Sequence, residues 1–287
     1  MGRRPGRPAK RVGKKPASPS RTPARSTSSG VRRPSGPKGL GGDQVEGRQA
    51  VRELLLAGRR KVREILVAPG SDDELDGPLA DLAELAADLR VPVKVVSRAK
   101  LDAAARTEAP QGVVAFAAPL PEADLDDLVR PGPDGTPPFL VAVDGVTDPG
   151  NLGALLRSAE CAGVTGFVLP RHRAVHVTAT VTKAAAGAVE HVPIALVGGL
   201  PATLGRLKQA GLWIVGLDGA GDTPLHALPV AADPVVLVLG AEGSGLSRLV
   251  RQRCDVVAAI PLRGRLSSLN VAAAGAIATY EVARARR

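Results

Sequence analysis

The stretch Val235-Val-Leu-Val-Leu-Gly-Ala-Glu-Gly-Ser-Gly-Leu246 decides the fold class. Its first five residues form an unbroken aliphatic, Val-rich run, the pattern of a strand buried on both faces. Such strands belong to parallel sheets covered by helices on either side. Gly240, Gly243 and Gly245 follow at once, and a helical stretch over Leu246–Arg251 comes next. A glycine-rich turn between strand and helix brings backbone N–H groups up to a ligand. The spacing is GxxGxG, so the GxGxxG dinucleotide fingerprint fails. Neither the GxxxxGK[ST] P-loop nor the GxSxG nucleophile elbow is present. Glu242, at the strand end, is either a ligand or catalytic carboxylate or a turn residue paired with an arginine.

Outward from this stretch the same alternation repeats. FLVAVDGV from Phe139 reads as a buried strand and turn, and further strand-like runs stand at Gly166–Leu169, Val192–Leu196, Leu212–Leu217 and Val256–Ile260. Helical stretches fall at Leu152–Ala162, Ala179–Ala188, Leu200–Ala210 and Leu269–Arg284. A smaller α/β block precedes it. There Val45–Ala57 reads as a helix, with a helix at Leu75–Leu89, another at Arg98–Ala105, and strands near Ile65–Val67, Val93–Val96 and Val113–Ala117. The segment PGPDGTPP (Pro131–Pro138) ends a linker, because it cannot lie inside a helix or strand. The pattern predicts a basic tail over 1–42, a small α/β domain over 43–118, a linker over 119–138 and a larger α/β domain over 139–287.

The charge is unevenly distributed. The chain of 287 residues carries a net +10, yet residues 1–42 hold twelve Lys/Arg and no acid, leaving about −2 for the rest. That segment is Gly, Pro, Ser and Arg/Lys with almost nothing to bury, so it is expected to be disordered and to bind nucleic acid through counterion release, or else to be a solubilising tail. Seven prolines in it exclude the amphipathic helix of a transit peptide, and it lacks the apolar region of a secretory signal. Two cysteines, Cys161 and Cys254, with no CxxC exclude a disulfide scaffold and a thiolate zinc site, and are expected to be reduced and mostly buried in a cytoplasmic protein. No apolar run reaches the ~18–20 residues of a membrane helix. With 2% aromatic residues, the core must be built from Ala, Val and Leu.

Two further segments place polar residues after predicted strands, where open α/β sheets build their sites. In Asp144-Gly-Val-Thr-Asp-Pro-Gly-Asn151-Leu-Gly-Ala-Leu-Leu-Arg157, Asn151 is either a helix N-cap or a functional amide. Arg157 lies about 600° further round the helix, so spacing does not put it on one face with Asn151. In Ile260-Pro-Leu-Arg-Gly-Arg-Leu-Ser-Ser-Leu-Asn270, a strand end leads into a basic loop, and Ser268 or Asn270 would cap the last helix. Among the four histidines, the side chains whose pKa best suits a base, His172 and His176 lie in a basic loop that reads as a nucleic-acid-facing surface ahead of a catalytic pair, while His191 precedes a strand and His226 sits in a loop. No spacing of Asp, Glu, His or Cys suggests a metal.

Taken in order, these three segments resemble the three motifs of the SpoU (TrmH-type) RNA 2′-O-ribose methyltransferases. Asn151 and Arg157 fall on the first motif, Gly240, Glu242 and Gly245 on the second, and Ile260-Pro261 with Ser268-Leu269-Asn270 on the third. Val45-Glu46-Gly47 and Gln111-Gly112-Val113 resemble the small RNA-binding domain that accompanies one branch of that family. Pattern alone predicts an ordinary doubly wound sheet; the resemblance implies instead a C-terminal trefoil knot (the SPOUT fold) behind a small N-terminal α/β RNA-binding domain. It further implies S-adenosylmethionine as cofactor, held at Gly240, Gly245, Ile260, Leu262 and Leu269, with no metal. The resemblance assigns Arg157, Asn151, Glu242, Ser268 and Asn270 to catalysis. RNA rather than DNA is the implied partner, 23S ribosomal RNA before tRNA, with a guanosine ribose as target. It also implies a homodimer through the C-terminal domain, which suits the Ala-rich helix Val271–Ala283. The rival readings are a catalytically silent RNA- or ribosome-binding protein and a nucleotide-dependent oxidoreductase.

Overall fold

The computed structural model of the protein describes residues 39–70, 74–172 and 176–286, together with Gly2. The expected disorder over 1–42 therefore falls almost wholly outside the described residues. Its last four positions do not, and they correct the boundary. Leu40 is 1% exposed, and Gly42 N–H donates to the Val177 carbonyl at 2.7 Å while Val177 N–H donates to Leu40 at 2.9 Å. A lone leucine among Gly, Pro and Lys carries no periodicity, so only its long-range partner marks it as core.

The first sheet has four strands, β1 (Gln44–Glu46), β2 (Val62–Val67), β3 (Val93–Val95) and β4 (Val113–Ala117), in the order β1-β4-β2-β3. β4 runs antiparallel to β1 and β2, and β3 runs parallel to β2. Helices α1 (Arg48–Ala57) and α2 (Gly77–Asp88) pack Val51, Leu54, Leu79 and Leu82 on one face, against Ile65, Val67 and Val113. α3 (Arg98–Ala104) covers the other face through Leu101. The helix expected from Val45 thus begins only at Arg48, because Gly47 has φ +94° and breaks the chain direction after a three-residue strand. Glu46 in that strand is fully buried and accepts hydrogen bonds from Gln44 Nε2, Arg106 N–H, Thr107 N–H and Thr107 Oγ1. The linker is also not bare coil: it contains α4 (Leu125–Leu128), and Leu120, Leu125 and Leu128 are buried.

The second sheet has seven strands, all parallel: β5 (Phe139–Asp144), β6 (Gly166–Pro170), β7 (Ile194–Val197), β8 (Trp213–Leu217), β9 (Thr223–Pro224), β10 (Val235–Gly240) and β11 (Val256–Ala259). Their order is β7-β6-β5-β10-β8-β11-β9. The helices are α5 (Pro149–Cys161), α6 (Ala179–Ala184), α7 (Leu200–Gln209), α8 (Arg248–Arg251) and α9 (Val271–Ala285). Alternate side chains of the central strands enter opposite cores. Val141, Val143, Leu237 and Leu239 meet Leu152 and Leu155 of α5 and Ala278 and Val282 of α9. Leu140, Ala142, Val236 and Val238 meet Leu200, Leu204 and Leu207 of α7. Each fully buried Val or Leu contributes roughly 1.5–3 kcal/mol over an exposed one, so both faces need a helical layer. Gly275 lets α9 approach closely: a Cβ there would stand 2.3 Å from Leu155 Cδ1 and 2.9 Å from Leu239 Cδ1.

The end of α9 is held by one residue. Arg286 donates to the carbonyls of Pro137 (2.8 Å), Pro138 (3.2 Å), Ala231 (3.2 Å) and Asp233, and its guanidinium lies 5.0 Å from the centre of the Phe139 ring. It closes the amino ends of β5 and β10 over the helix that follows β11. Arg286→Ala is expected to destabilise the protein by about 2 kcal/mol, read as a Tm lower by roughly 3–6 °C. A Tm unchanged in thermal melts followed by circular dichroism would contradict this.

Candidate functional site

The strand register brings four carboxyl ends to one edge. Gly240 pairs with Asp144, Leu239 with Leu217, and Leu217 with Ala258, so Asp144, Asp218, Gly240 and Ile260 emerge side by side. This edge holds a cavity of about 260 Å³. The turn after β10 forms one wall. Ala241 and Gly245 exchange backbone hydrogen bonds at 3.1 and 2.9 Å, and Gly243 and Gly245 have φ +79° and +64°. Gly240 has no room for a side chain, because a Cβ would stand 2.2 Å from the Gly245 carbonyl carbon and 2.5 Å from Leu246 N. Asp144 Oδ2 accepts from Ser247 N–H at 2.7 Å and ties the turn to β5. The other wall is the loop after β11, which contributes Ile260, Leu262, Ser268 and Leu269.

A chain of amides and a carboxylate adjoins the cavity. Asn270 Nδ2 donates to Asn151 Oδ1 at 2.8 Å, and Asn151 Nδ2 donates to Glu242 Oε2 at 3.4 Å. Asn151 is not the cap of α5. That role belongs to Asp148, whose Oδ1 accepts from Asn151 N–H at 2.6 Å, leaving the Asn151 side chain to reach across. Asn270 does both: its Oδ1 caps α9 by accepting from Ala272 and Ala273 N–H, while its Nδ2 serves Asn151. Ser268 lines the cavity and is not the cap. Glu242 faces Asn151 rather than an arginine.

Gly240, Glu242, Gly245, Ile260, Leu262, Ser268 and Leu269 thus share one cavity, and Asn151 and Asn270 join it through Glu242. Arg157 does not join them. It is exposed on α5 and does not line the cavity, and its side chain makes no hydrogen bond or ion pair among the described residues. Asp218, overlooked in the sequence, lines the cavity. Its carboxylate accepts from Ala220 N–H at 2.9 Å, pairs with Arg251 at 2.9 Å and abuts Gly245. The usable signal was its place as the first polar residue after a predicted strand.

The remaining titratable groups lie elsewhere. His176 Nδ1 stands 3.1 Å from the Gly39 carbonyl and His191 Nε2 stands 2.9 Å from Glu53; His172 and His226 are exposed. Arg173–Val175, the middle of the expected RNA-facing loop, lie outside the described residues. Cys161 is exposed, correcting the expectation of two mostly buried thiols: it ends α5 on the outer face. Cys254 is half-buried, and desolvation pushes its thiol up to about 11. Among the described residues no group of three or more His, Cys, Asp or Glu could hold a metal, and no helix is long and apolar enough to cross a membrane.

Comparison with known proteins agrees with this geometry. Residues 138–280 match the SpoU rRNA Methylase family, and residues 44–123 match the RNA 2′-O ribose methyltransferase substrate binding family. The chain is 44% identical over 208 residues to the 23S rRNA (guanosine-2′-O-)-methyltransferase RlmB of Pseudomonas aeruginosa, covering 71% of this chain and 82% of that protein. It is 42% identical over 221 residues to RlmB of Shewanella oneidensis, covering 76% and 87%. Among solved structures, the SpoU methyltransferase AviRb from Streptomyces viridochromogenes in complex with AdoMet superposes with a TM-score of 0.69 at 28% identity, over 85% of this chain and 90% of that one. An AdoMet-bound rRNA methyltransferase from Sinorhizobium meliloti gives 0.67 at 28% identity, over 84% and 87%.

Proposed function

The chain belongs to the SpoU rRNA methylase family, and from that premise we propose that it transfers a methyl group from S-adenosylmethionine to the ribose 2′-hydroxyl of a guanosine in 23S ribosomal RNA. The observation that carries this reading is the lining of the cavity. Two carboxylates contribute to it, Glu242 and an Asp218 that is itself paired with Arg251, and no Lys, Arg or His among the described residues lines it. That wall suits a ligand with a cationic centre and an apolar adenosine part, and it disfavours the phosphates of a dinucleotide. The cradle around Gly240 fits the same group, because the closed turn presents backbone rather than side chains.

S-adenosylmethionine supplies an electrophilic methyl on a sulfonium. On this reading the backbone at Gly240, Ile260 and Leu269 holds the adenine part, and Gly245 and Leu262 complete the slot. Glu242, Asn151, Asn270 and Ser268 orient the ribose, so that its oxygen is held in line for attack; such alignment supplies several kcal/mol of a barrier. A guanidinium offers a planar fork of donors and no acceptor, so the part of Arg157 is to steady the developing oxyanion and the neighbouring phosphate, while the hydroxyl proton passes to solvent water. In this reading residues 43–118 bind substrate RNA and residues 139–287 form the methyltransferase unit. The chain running from β11 over the 240–245 turn to α9, which packs on α5, threads a trefoil knot. The twelve basic residues of 1–38 add RNA affinity by counterion release, and the reaction is cytoplasmic.

Arg157 also motivates a homodimer. It stands clear of its own cavity, while Leu266, Ile277 and Tyr280 are exposed at 81%, 45% and 49% on the loop and helix beside that cavity. A second copy covering this face brings Arg157 of one subunit to the cleft of the other.

The direct test is labelled methyl transfer into 23S rRNA and, in parallel, tRNA. Incorporation into rRNA is expected; binding without incorporation would contradict the enzymatic reading, and incorporation into tRNA alone would contradict the substrate. The amide chain has its own test. Asn270→Asp keeps the capping oxygen and removes the donor to Asn151, so it is expected to hold Tm while lowering kcat about tenfold. Asn270→Ala loses both and costs about 1 kcal/mol of stability besides. Equal activity of Asn270→Asp and wild type would remove Asn270 from the site.

A further inference from the structure

The seam between the two sheets contains a fully buried ion pair. Arg60, just before β2, donates from Nε to Glu190 Oε2 at 2.9 Å and from Nη2 to Glu190 Oε1 at 2.5 Å; the side chains are 2% and 1% exposed. Arg60 Nη1 also donates to the carbonyls of Gly42 and Ala118. One guanidinium therefore ties the first sheet, the segment entering it and the linker leaving it to a short turn of the second sheet's domain.

The contact is broad as well as polar. Arg59 donates to the Glu190 carbonyl at 2.9 Å, Glu53 meets His191, and Lys183 donates to the Ala109 carbonyl. Gly187, with φ +88°, sits so close to α1 that a Cβ would stand 2.5 Å from Glu53 Cβ and 3.2 Å from Ala50 Cα. On its far side the same turn, with α6, packs on α5: a Cβ at Gly153 would stand 2.5 Å from Ala184 Cβ and 2.7 Å from the Val181 carbonyl oxygen. α5 carries Asn151 and Arg157.

We infer that Arg60 and Glu190 are positioning residues that lock the RNA-binding unit to the catalytic unit at a fixed spacing, so that this spacing selects which nucleotide reaches the site. The inference rests on the proposed methyl transfer. A tethered RNA-binding unit would need no buried ion pair, and two desolvated charges are held only where their partners stay in register. From Arg60 the rigid path runs through Glu190 and the 185–191 turn to α5, and so to Asn151.

Arg60→Met strands the buried Glu190 carboxylate, whereas Arg60→Met with Glu190→Leu replaces the pair by apolar groups of similar size and leaves no buried charge unpaired, only the Gly42 and Ala118 carbonyls losing their donor. In the single variant, hydrogen exchange at the seam amides of Gly42 and Val177 is expected to quicken at least about tenfold. S-adenosylmethionine affinity should stay within twofold of wild type. The RNA KM should rise about tenfold, and methylation should spread to neighbouring nucleotides. The double variant should restore all three seam-dependent readouts. If Arg60→Met fails to fold, Glu190→Gln gives the milder test, with faster exchange and a raised RNA KM expected. Unchanged exchange in either variant would overturn the lock; faster exchange with the same KM and the same methylated nucleotide would overturn its part in selection. Wild-type protein that transfers no methyl to RNA would refute the functional reading, and the exchange measurement would still decide the lock.

Discussion

Arg157→Ala is expected to lower kcat for methyl transfer by about 10²–10³-fold while S-adenosylmethionine affinity stays within twofold of wild type. The reason is its location: Arg157 is exposed, lies outside the cavity and has no partner among the described residues, so its removal disturbs neither packing nor the cofactor slot. A planar, two-pronged donor is suited to a ribose oxygen that gains charge beside a phosphate. Arg157→Lys keeps the charge but not the fork, and is expected to remain at least about tenfold impaired. Single-turnover transfer and calorimetric cofactor binding separate the effects. Near-normal turnover by either variant would make Arg157 a surface residue.

Gly240→Ala is expected to abolish cofactor binding, with Kd raised at least about 100-fold, close to 2.7 kcal/mol. The added methyl would overlap the backbone of Gly245 and Leu246, at 2.2 to 2.5 Å, and backbone cannot rotate away as a side chain can. The turn must open, and it is the wall that carries Glu242 and Gly245. Gly219 is the control, since it lines the same cavity yet a Cβ there meets nothing within 4 Å; Gly219→Ala should keep the wild-type Tm. Calorimetry and thermal melts check both. Tight binding by Gly240→Ala would mean the turn is not the cofactor wall. The pair also tests the proposed dimer: mixing inactive Arg157→Ala with inactive Gly240→Ala should restore some activity if Arg157 serves the partner's cleft.

The central strands were legible because Phe139–Asp144 and Val235–Gly240 are buried on both faces, and continuous apolar runs have one reading at that length. Gln44–Glu46 and Thr223–Pro224 were not, since two or three residues carry no period. At the site, the glycines of 240–245 could be read because a turn this tight excludes side chains. Asn151 stayed ambiguous because Asp148, three residues earlier, is an equally good cap. Asp148 takes the cap, and only Asn270, far along the chain, shows what the freed Asn151 side chain meets. The Arg60–Glu190 pair was invisible for the same reason: two charged residues 130 positions apart look like surface until the fold buries them together.

The ribose assignment is tested most directly by alkaline hydrolysis of end-labelled 23S rRNA after incubation with the protein and S-adenosylmethionine. Cleavage needs the 2′-hydroxyl to attack its own adjacent phosphate, and a methyl on that oxygen removes the nucleophile. The site offers Asn151, Glu242, Ser268 and Asn270, and among the described residues no thiol or aromatic side chain lines the cavity for chemistry on a flipped base. A single gap in the ladder, at a guanosine, is the expected result. A complete ladder on RNA that has taken up the label, with the label travelling on the base, would contradict it.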